Sequence, residues 1–327
     1  MMGPVFREAN PADAPAIIDL FWQVSPSGRT VDYWKWLNER GPFGPAIVEV
    51  IELDNHIIGH YAVMPMTLNS GAQDVKAGFA MQVCTHRGHR GLPFLRPMCD
   101  RVWKRCAEAG MAVVYGFPNR HIWPIYKRMM QWEEVSKFKS LQYSLAEKGV
   151  PFIEAGDDFL VTRETAFPDE TDALWDASPL SGGNVITVSR NAAYLNWRFC
   201  ENPAQHYRIL VAWKGSAVAG YAVIKFYHDG KRFVGHVADM LCRSEGHNAV
   251  ARTLLSSAFD IFAWQQVDVV SCWFSPSHPL RPKFDELGFV EDGFETQLGC
   301  RPMMSDQPTG FTNDNDWILT MADSDAF

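Results

Sequence analysis

The densest chemical signal in the chain is RGHRGLPFLRP, residues 87–97, where arginines and glycines run into an apolar segment with helical spacing. Glycines beside arginine at the start of a helix expose backbone N–H groups at its positive end, which is how many proteins grip a pyrophosphate. Pro93 lies almost at the joint and has no N–H to offer. In the first helical turn that proton would have no intrahelical partner, so the helix itself tolerates the proline. Cations continue along the same stretch: Arg87, Arg90, Arg96, Arg101, Lys104 and Arg105 form a patch suited either to a small polyanion or to a solvated helix face.

Other reactive residue types lie close by. His86, His89 and His121 have imidazoles whose intrinsic pKa suits proton transfer, and each also reads as structural or solvent-exposed. Cys84 precedes the loop; a nucleophilic thiol needs an activating partner, none is specified, and it reads as a small packing residue. Asp239, in VADML, interrupts an apolar strand either as a satisfied buried carboxylate, the favoured reading, or as a substrate contact. The seven cysteines show no C-x-x-C pair and no histidines at ligand spacing, which indicates reduced thiols and neither zinc nor a disulfide framework.

These residues must be held by elements that occur twice. YWKWLNERGPFGPAIVEVIELDNHIIGHYAV, from Tyr33, aligns without a gap on YLNWRFCENPAQHYRILVAWKGSAVAGYAVI, from Tyr194. Tyr33 meets Tyr194, Trp36 meets Trp197, Pro42 meets Pro203 and Gly59 meets Gly220, all at an offset of 161 residues, near half the chain length of 327. Each copy reads as a short aromatic helix, a proline stop and β-branched strands meeting at a polar turn, Asp54-Asn55 or Lys214-Gly215-Ser216. Each half then continues as strand, helix, strand and short helix, at about 78–85, 94–109, 111–117 and 122–130, and again at about 234–242, 247–264, 267–274 and 280–287. IIDLFWQVSP and TDALWDASP echo each other upstream. The segment KGVPFIEAGDD breaks the pattern, so the halves divide as 1–148 and 149–327. The stretch 301–316 is polar and turn-rich, whereas Trp317 to Met321 has strand character and is expected to close the second sheet.

Composition fits two such domains: 47% apolar and 13% aromatic residues allow substantial cores. A net charge of -8 argues against a nucleic-acid backbone as main partner. The opening MMGPVFREANPADAP lacks a signal peptide's pattern, and no apolar run approaches the ~18 residues of a spanning helix, so a cytoplasmic protein without a membrane partner is expected.

The order of aromatic helix, hairpin, strand, arginine and glycine loop, helix, and strand ending in an asparagine turn resembles the GNAT superfamily of N-acetyltransferases, in tandem. The resemblance implies an α/β (α+β) protein of two GNAT-like domains, each a mixed, largely antiparallel sheet flanked by helices. In the first half HRGHRGLPFL resembles the pyrophosphate loop: Arg90 takes the opening position, Gly91 and Leu92 are spacers, Pro93 replaces the first glycine, Phe94 is a spacer and Leu95 takes the last small position. GFPNRHIWPIYKRMMQW resembles the end of the family's fifth strand, with Asn119 helping to hold the cofactor arm and Tyr126, seven residues on, as general acid toward the departing thiolate. A phenol with pKa near 10 stays protonated at neutral pH and can donate. Backbone atoms around Val83 and Thr85 are the implied partners of the pantetheine arm.

Read the same way, the second half is degenerate. CRSEGHNAVARTLL has one glycine, Glu245 puts negative charge where phosphate would lie, and Ser277 and Phe284 replace the asparagine and tyrosine. The strand FAMQVCTH carries Gln82 where the family often has a glutamate base, so the base is unassigned. The resemblance implies acetyl transfer from acetyl-CoA to a small-molecule or peptide amine, by a monomer or homodimer. A non-catalytic acyl-CoA or metabolite-binding module and an aminoacyl or longer-acyl transferase are the alternatives. Trp123, Trp132 and Trp273 read either as stacking surfaces for an acceptor or as core.

Overall fold

The computed structural model describes residues 3–25, 29–70, 73–303, 309–313 and 316–325. The first half runs β1 (Val5–Glu8), α1 (Ala14–Val24), α2 (Val31–Glu39), β2 (Ile47–Leu53), β3 (His56–Ser70), β4 (Gln73–Thr85), α3 (Leu92–Glu108), β5 (Val113–Gly116), α4 (Trp123–Met129), β6 (Glu133–Ser144) and α5 (Leu145–Lys148). The second runs β7 (Leu160–Glu164), α6 (Glu170–Asp176), β8 (Ile186–Val188), α7 (Ala192–Leu195), β9 (Tyr207–Lys214), β10 (Ala217–His228), β11 (Phe233–Cys242), α8 (His247–Trp264), β12 (Val269–Cys272), α9 (Arg281–Glu286) and β13 (Val290–Pro302). No helix among the described residues is long and apolar enough to cross a membrane.

The repeat extends to the capping chemistry. Thr30 accepts a hydrogen bond from the Tyr33 N–H to start α2, and Asn191 accepts one from the Tyr194 N–H to start α7. The hairpin between β2 and β3 turns through Asp54 (φ 48°) and Asn55 (φ 62°), two residues that tolerate left-handed backbone and match the twist of the strands. Trp36 and Trp197 then meet across the pseudo-two-fold: their rings stack at 4.8 Å, and each indole donates to the other's backbone carbonyl, at 3.0 and 3.3 Å.

The two half-sheets join into one sheet of 13 strands in the order β1-β2-β3-β4-β5-β13-β6-β12-β11-β10-β9-β7, with β8 paired to β3. The sequence led to the expectation of a separate sheet in each half. Instead the halves exchange last strands: β6 pairs with β12 of the second half, β13 pairs with β5 of the first, and the two pair with each other. Exchange buries edges that two isolated sheets would leave open.

The segment from Trp317 does not add a strand to the second sheet; it makes isolated bridges, Trp317 to Ile186 and Thr320 to Phe274. Of the turn-rich stretch before it, residues 304–308 and 314–315 lie outside the described residues. Residues 320–324 are held by two buried arginines. Arg190 binds Asp239 at 3.1 Å and Asp323 at 2.7 Å, and Thr320 and Tyr221 hydroxyls each donate to Asp239 at 2.7 Å. Arg198 donates to the carbonyls of Ala322 and Ser324, at 2.9 and 3.0 Å. Asp239 is therefore a satisfied buried carboxylate.

Three buried histidines set a pH dependence. Burial lowers the His60 pKa to about 4 and those of His236 and His278 to about 3. The unfolded chain, with ordinary imidazoles near 6.5, takes up protons first, so stability is full above that pH and declines as pH falls below it. Urea unfolding should show a loss of roughly 1 kcal/mol per histidine between pH 7.5 and 5.5. A flat profile would mean that these imidazoles charge freely within the fold.

Candidate active site

The site begins at a bulge in β4. Against β3, Cys84 pairs with His60 but Met81 pairs with Ala62, so β4 carries an extra residue there, and Gln82 takes φ 56°. Left-handed backbone at a non-glycine residue costs on the order of 1 kcal/mol and persists where neighbours fix it. Here His60 fixes it: Trp34 Nε1 donates to His60 Nε2 at 3.2 Å, leaving the Nδ1–H to donate to the Gln82 carbonyl at 2.9 Å. Asn38 also donates to the Gln82 side-chain oxygen, at 3.3 Å. The parallel pairing of β4 with β5 ends at Phe79 and Tyr115, and the two strands part beyond that point.

The parted strands open a groove. Its inner section, about 990 Å³, is lined by Phe21, Arg29, Gln82, Asn119, Tyr126 and Asp325 among others. Its outer section, about 1160 Å³, is lined by Thr85, Arg90, Gly91, Leu92, Leu95 and His121 among others. Val83, Cys84, Asn119 and Ile122 line both, so the sections are continuous.

At the outer end the N–H groups of Arg90, Gly91 and Leu92 have no acceptor among the described residues, whereas those of Phe94 and Leu95 donate to the Gly91 carbonyl. Pro93 thus follows the three free donors and removes none of them. Leu95 is buried but reaches the groove; Phe94 does not line it and packs edge-on against His89 at 5.6 Å. The basic patch is smaller than its sequence implies. Arg96 pairs with Asp100, Lys104 with Glu108, Arg101 with Glu49, and Arg105 with Glu8 and Glu49. Arg87 and Arg90 make no ion pair among the described residues.

At the inner end Asn119 Oδ1 accepts from the N–H groups of His121 and Ile122, at 2.9 and 3.2 Å, which leaves its NH₂ for a ligand. Tyr126 stacks on Trp132 at 4.7 Å, and its buried hydroxyl has no hydrogen-bond partner of good geometry among the described residues. Burial holds this phenol well above its ordinary pKa, reinforced by the neighbouring Tyr61. The exchanged strand β13 supports the helix that carries Tyr126: a Cβ on Gly299 would lie 2.7 Å from Trp123 and 3.2 Å from Trp132. Trp132 is thus the one tryptophan of the three that lines the groove, Trp123 packing over Gly299 and Trp273 lying in the core against Phe117 and Phe138. Burial pushes the Cys84 thiol up to about 12, which makes it a poor nucleophile at neutral pH. His86 accepts from the Gly88 N–H and shapes the loop.

Two residues of the inner groove were not singled out in the sequence. Asp325, half-buried, is delivered by the Arg190 and Arg198 clasp on residues 320–324; burial raises its carboxyl, against the pull of Arg29 and Arg198. Arg29 lies with its guanidinium 5.3 Å from the centre of the Phe21 ring. The available signal was indirect: Arg190 and Arg198 flank aromatic, apolar residues, and buried arginines require acceptors.

The equivalent region of the second half is closed. Pro179, Leu180, His247 and Leu280 leave a space of only about 220 Å³, and the Ser275 N–H donates to the Leu319 carbonyl where a ligand arm would run. Phe284 is fully buried.

Residues 5–134 match the acetyltransferase (GNAT) domain family. Among solved structures, a GCN5-related N-acetyltransferase from Anabaena variabilis is similar over 92% of this chain and 73% of its own, at 12% identity and TM-score 0.72. A protein from Enterococcus faecalis described as a probable N-acyltransferase covers the same shares, at 10% identity and TM-score 0.71. A tandem GNAT protein from the clavulanic acid biosynthesis pathway is similar over 93% of this chain and 100% of its own, at 14% identity and TM-score 0.63. No curated protein matches in sequence. Residues 5–134 therefore carry a GNAT-type acetyltransferase domain, and the chain as a whole has the fold of tandem GNAT proteins.

Proposed function

We propose that the protein is an acyl-CoA-dependent N-acetyltransferase whose first half, within 1–148, holds acetyl-CoA and whose second half, within 149–327, completes the acceptor side. The observation that carries this reading is the continuous groove between β4 and β5, with N–H groups that have no acceptor among the described residues at one end and with Tyr126 and Asp325 both lining the other. Acetyl-CoA supplies an acyl group activated as a thioester. Arg90 and the N–H groups of Arg90, Gly91 and Leu92 bind the pyrophosphate. The β4 backbone around Val83 and Thr85 pairs with the pantetheine amides, and the Asn119 NH₂ steadies the arm. Asp325 takes the proton that the amine loses as its C–N bond forms, and Tyr126 gives one to sulfur as the C–S bond breaks. A carboxyl raised by burial is better matched to that role than an ordinary aspartate.

Acetyl-CoA should raise the melting temperature of the full chain, and Arg90→Glu should weaken its binding at least about tenfold by setting a carboxylate against phosphate. Free-thiol release with an amine panel then separates transfer from binding alone. A melting temperature indifferent to acetyl-CoA would remove the proposal.

A further inference from the structure

The inner groove presents two fixed charges of opposite sign. There Arg29 lies over the Phe21 ring, an aromatic shelf that positions a guanidinium. It is half-buried and makes no hydrogen bond or ion pair with any described residue. Arg7, Arg190 and Arg198, also withdrawn from water, each hold carboxylates or carbonyls. Asp325 lines the same section, close enough to feel the charge of Arg29 yet not paired with it. A partly desolvated guanidinium with its donors unused is costly, and the ligand that relieves the cost is a planar anion bound through two N–H groups. The pyrophosphate end of the groove, at Arg90 to Leu92, is the other section and does not supply it.

Resting on the acyl-transfer reading, we propose that Arg29 binds a carboxylate carried by one of the reactants, and that its first source is the acceptor, an amino acid or a compound with the same pairing of amine and carboxylate. An amine held toward Asp325 with its carboxylate on Arg29 satisfies both charges. A polyamine satisfies only Asp325 and is repelled by Arg29. The second source of the same chemistry is an acyl group that itself ends in a carboxylate.

The test is thermal unfolding of the full chain saturated with coenzyme A, with each of the common amino acids and, in parallel, its decarboxylated amine. A separate arm compares succinyl-CoA with acetyl-CoA. At least one amino acid should raise the midpoint where its amine does not, and Arg29→Gln should abolish that shift while the shift due to coenzyme A persists; Arg29→Lys should restore part of it. In turnover, the preference for the amino acid over its amine, as kcat/KM, should fall about tenfold or more in Arg29→Gln. A succinyl-CoA preference lost in Arg29→Gln would assign the carboxylate to the acyl group. No shift from any amino acid and no succinyl-CoA preference, or either one surviving Arg29→Gln, overturns the inference. Binding of an amino acid without thiol release would sink acyl transfer and leave Arg29 as the anion site; equal turnover of carboxylate-free amines would do the reverse.

Discussion

Tyr126→Phe should lower kcat for acyl transfer by about 10²- to 10³-fold while acetyl-CoA affinity stays within about twofold. The ring of Tyr126 packs on Trp132, and phenylalanine keeps that contact. The hydroxyl lies beside that of Tyr61 but makes no hydrogen bond of good geometry among the described residues, so its removal should leave stability unchanged or slightly improved. What is lost is a donor that matters only when charge builds on sulfur, and such a loss appears in kcat rather than in binding. Because burial holds the phenol well above its ordinary pKa, the wild-type rate should show no decline from Tyr126 ionisation up to pH 9. Single-turnover thiol release together with calorimetric binding of acetyl-CoA checks both parts. An unchanged kcat would return Tyr126 to the core, as a packing residue against Trp132.

What could be read from the sequence was local. The spacing of Asn119 and Tyr126 lies within one turn and one short helix, and Arg90 to Leu95 lies within one loop and the helix it starts, so their geometry follows from neighbouring residues. The repeat was legible through Trp36 and Trp197 because both are needed at one pseudo-symmetric contact. The exchange of β6 and β13 was not legible: a strand's pattern of apolar residues says which face is buried, and not which edge it joins. The acceptor side was hidden for a related reason. Arg29 and Asp325 are nearly the full chain apart, and they share a groove only because buried arginines in the second half capture residues 320–324. The basic run on α3 misled in the opposite direction, since Glu8 and Glu49, far away in sequence, neutralise its middle.

The clasp on those residues makes Arg190→Met the second large effect, because one change removes both stability and the route by which Asp325 reaches the groove. Arg190, Asp239 and Asp323 are almost completely buried, and the arginine is the cation common to both carboxylates. Removing one partner of such a cluster leaves uncompensated buried charge, with a loss of about 3–5 kcal/mol. Burial already holds the Asp323 carboxyl above the ordinary range even with Arg190 present. Without Arg190 it should take up a proton more readily still, so the deficit relative to wild type, measured by urea unfolding at matched pH, should be larger at pH 8 than at pH 6. Thiol release should fall with it, because Asp323 no longer ties Thr320 to Arg190 and the chain that follows keeps only the Arg198 bonds to the Ala322 and Ser324 carbonyls. On the proposed reading acetyl-CoA binds through β4 and α3, whose groove-lining residues make no hydrogen bond or ion pair with the cluster among the described residues, and this binding should survive wherever the variant remains folded. Stability and turnover falling together while coenzyme A still binds would identify the tail as the link between the two halves; full activity in a folded Arg190→Met protein would show that Asp325 finds the groove unaided.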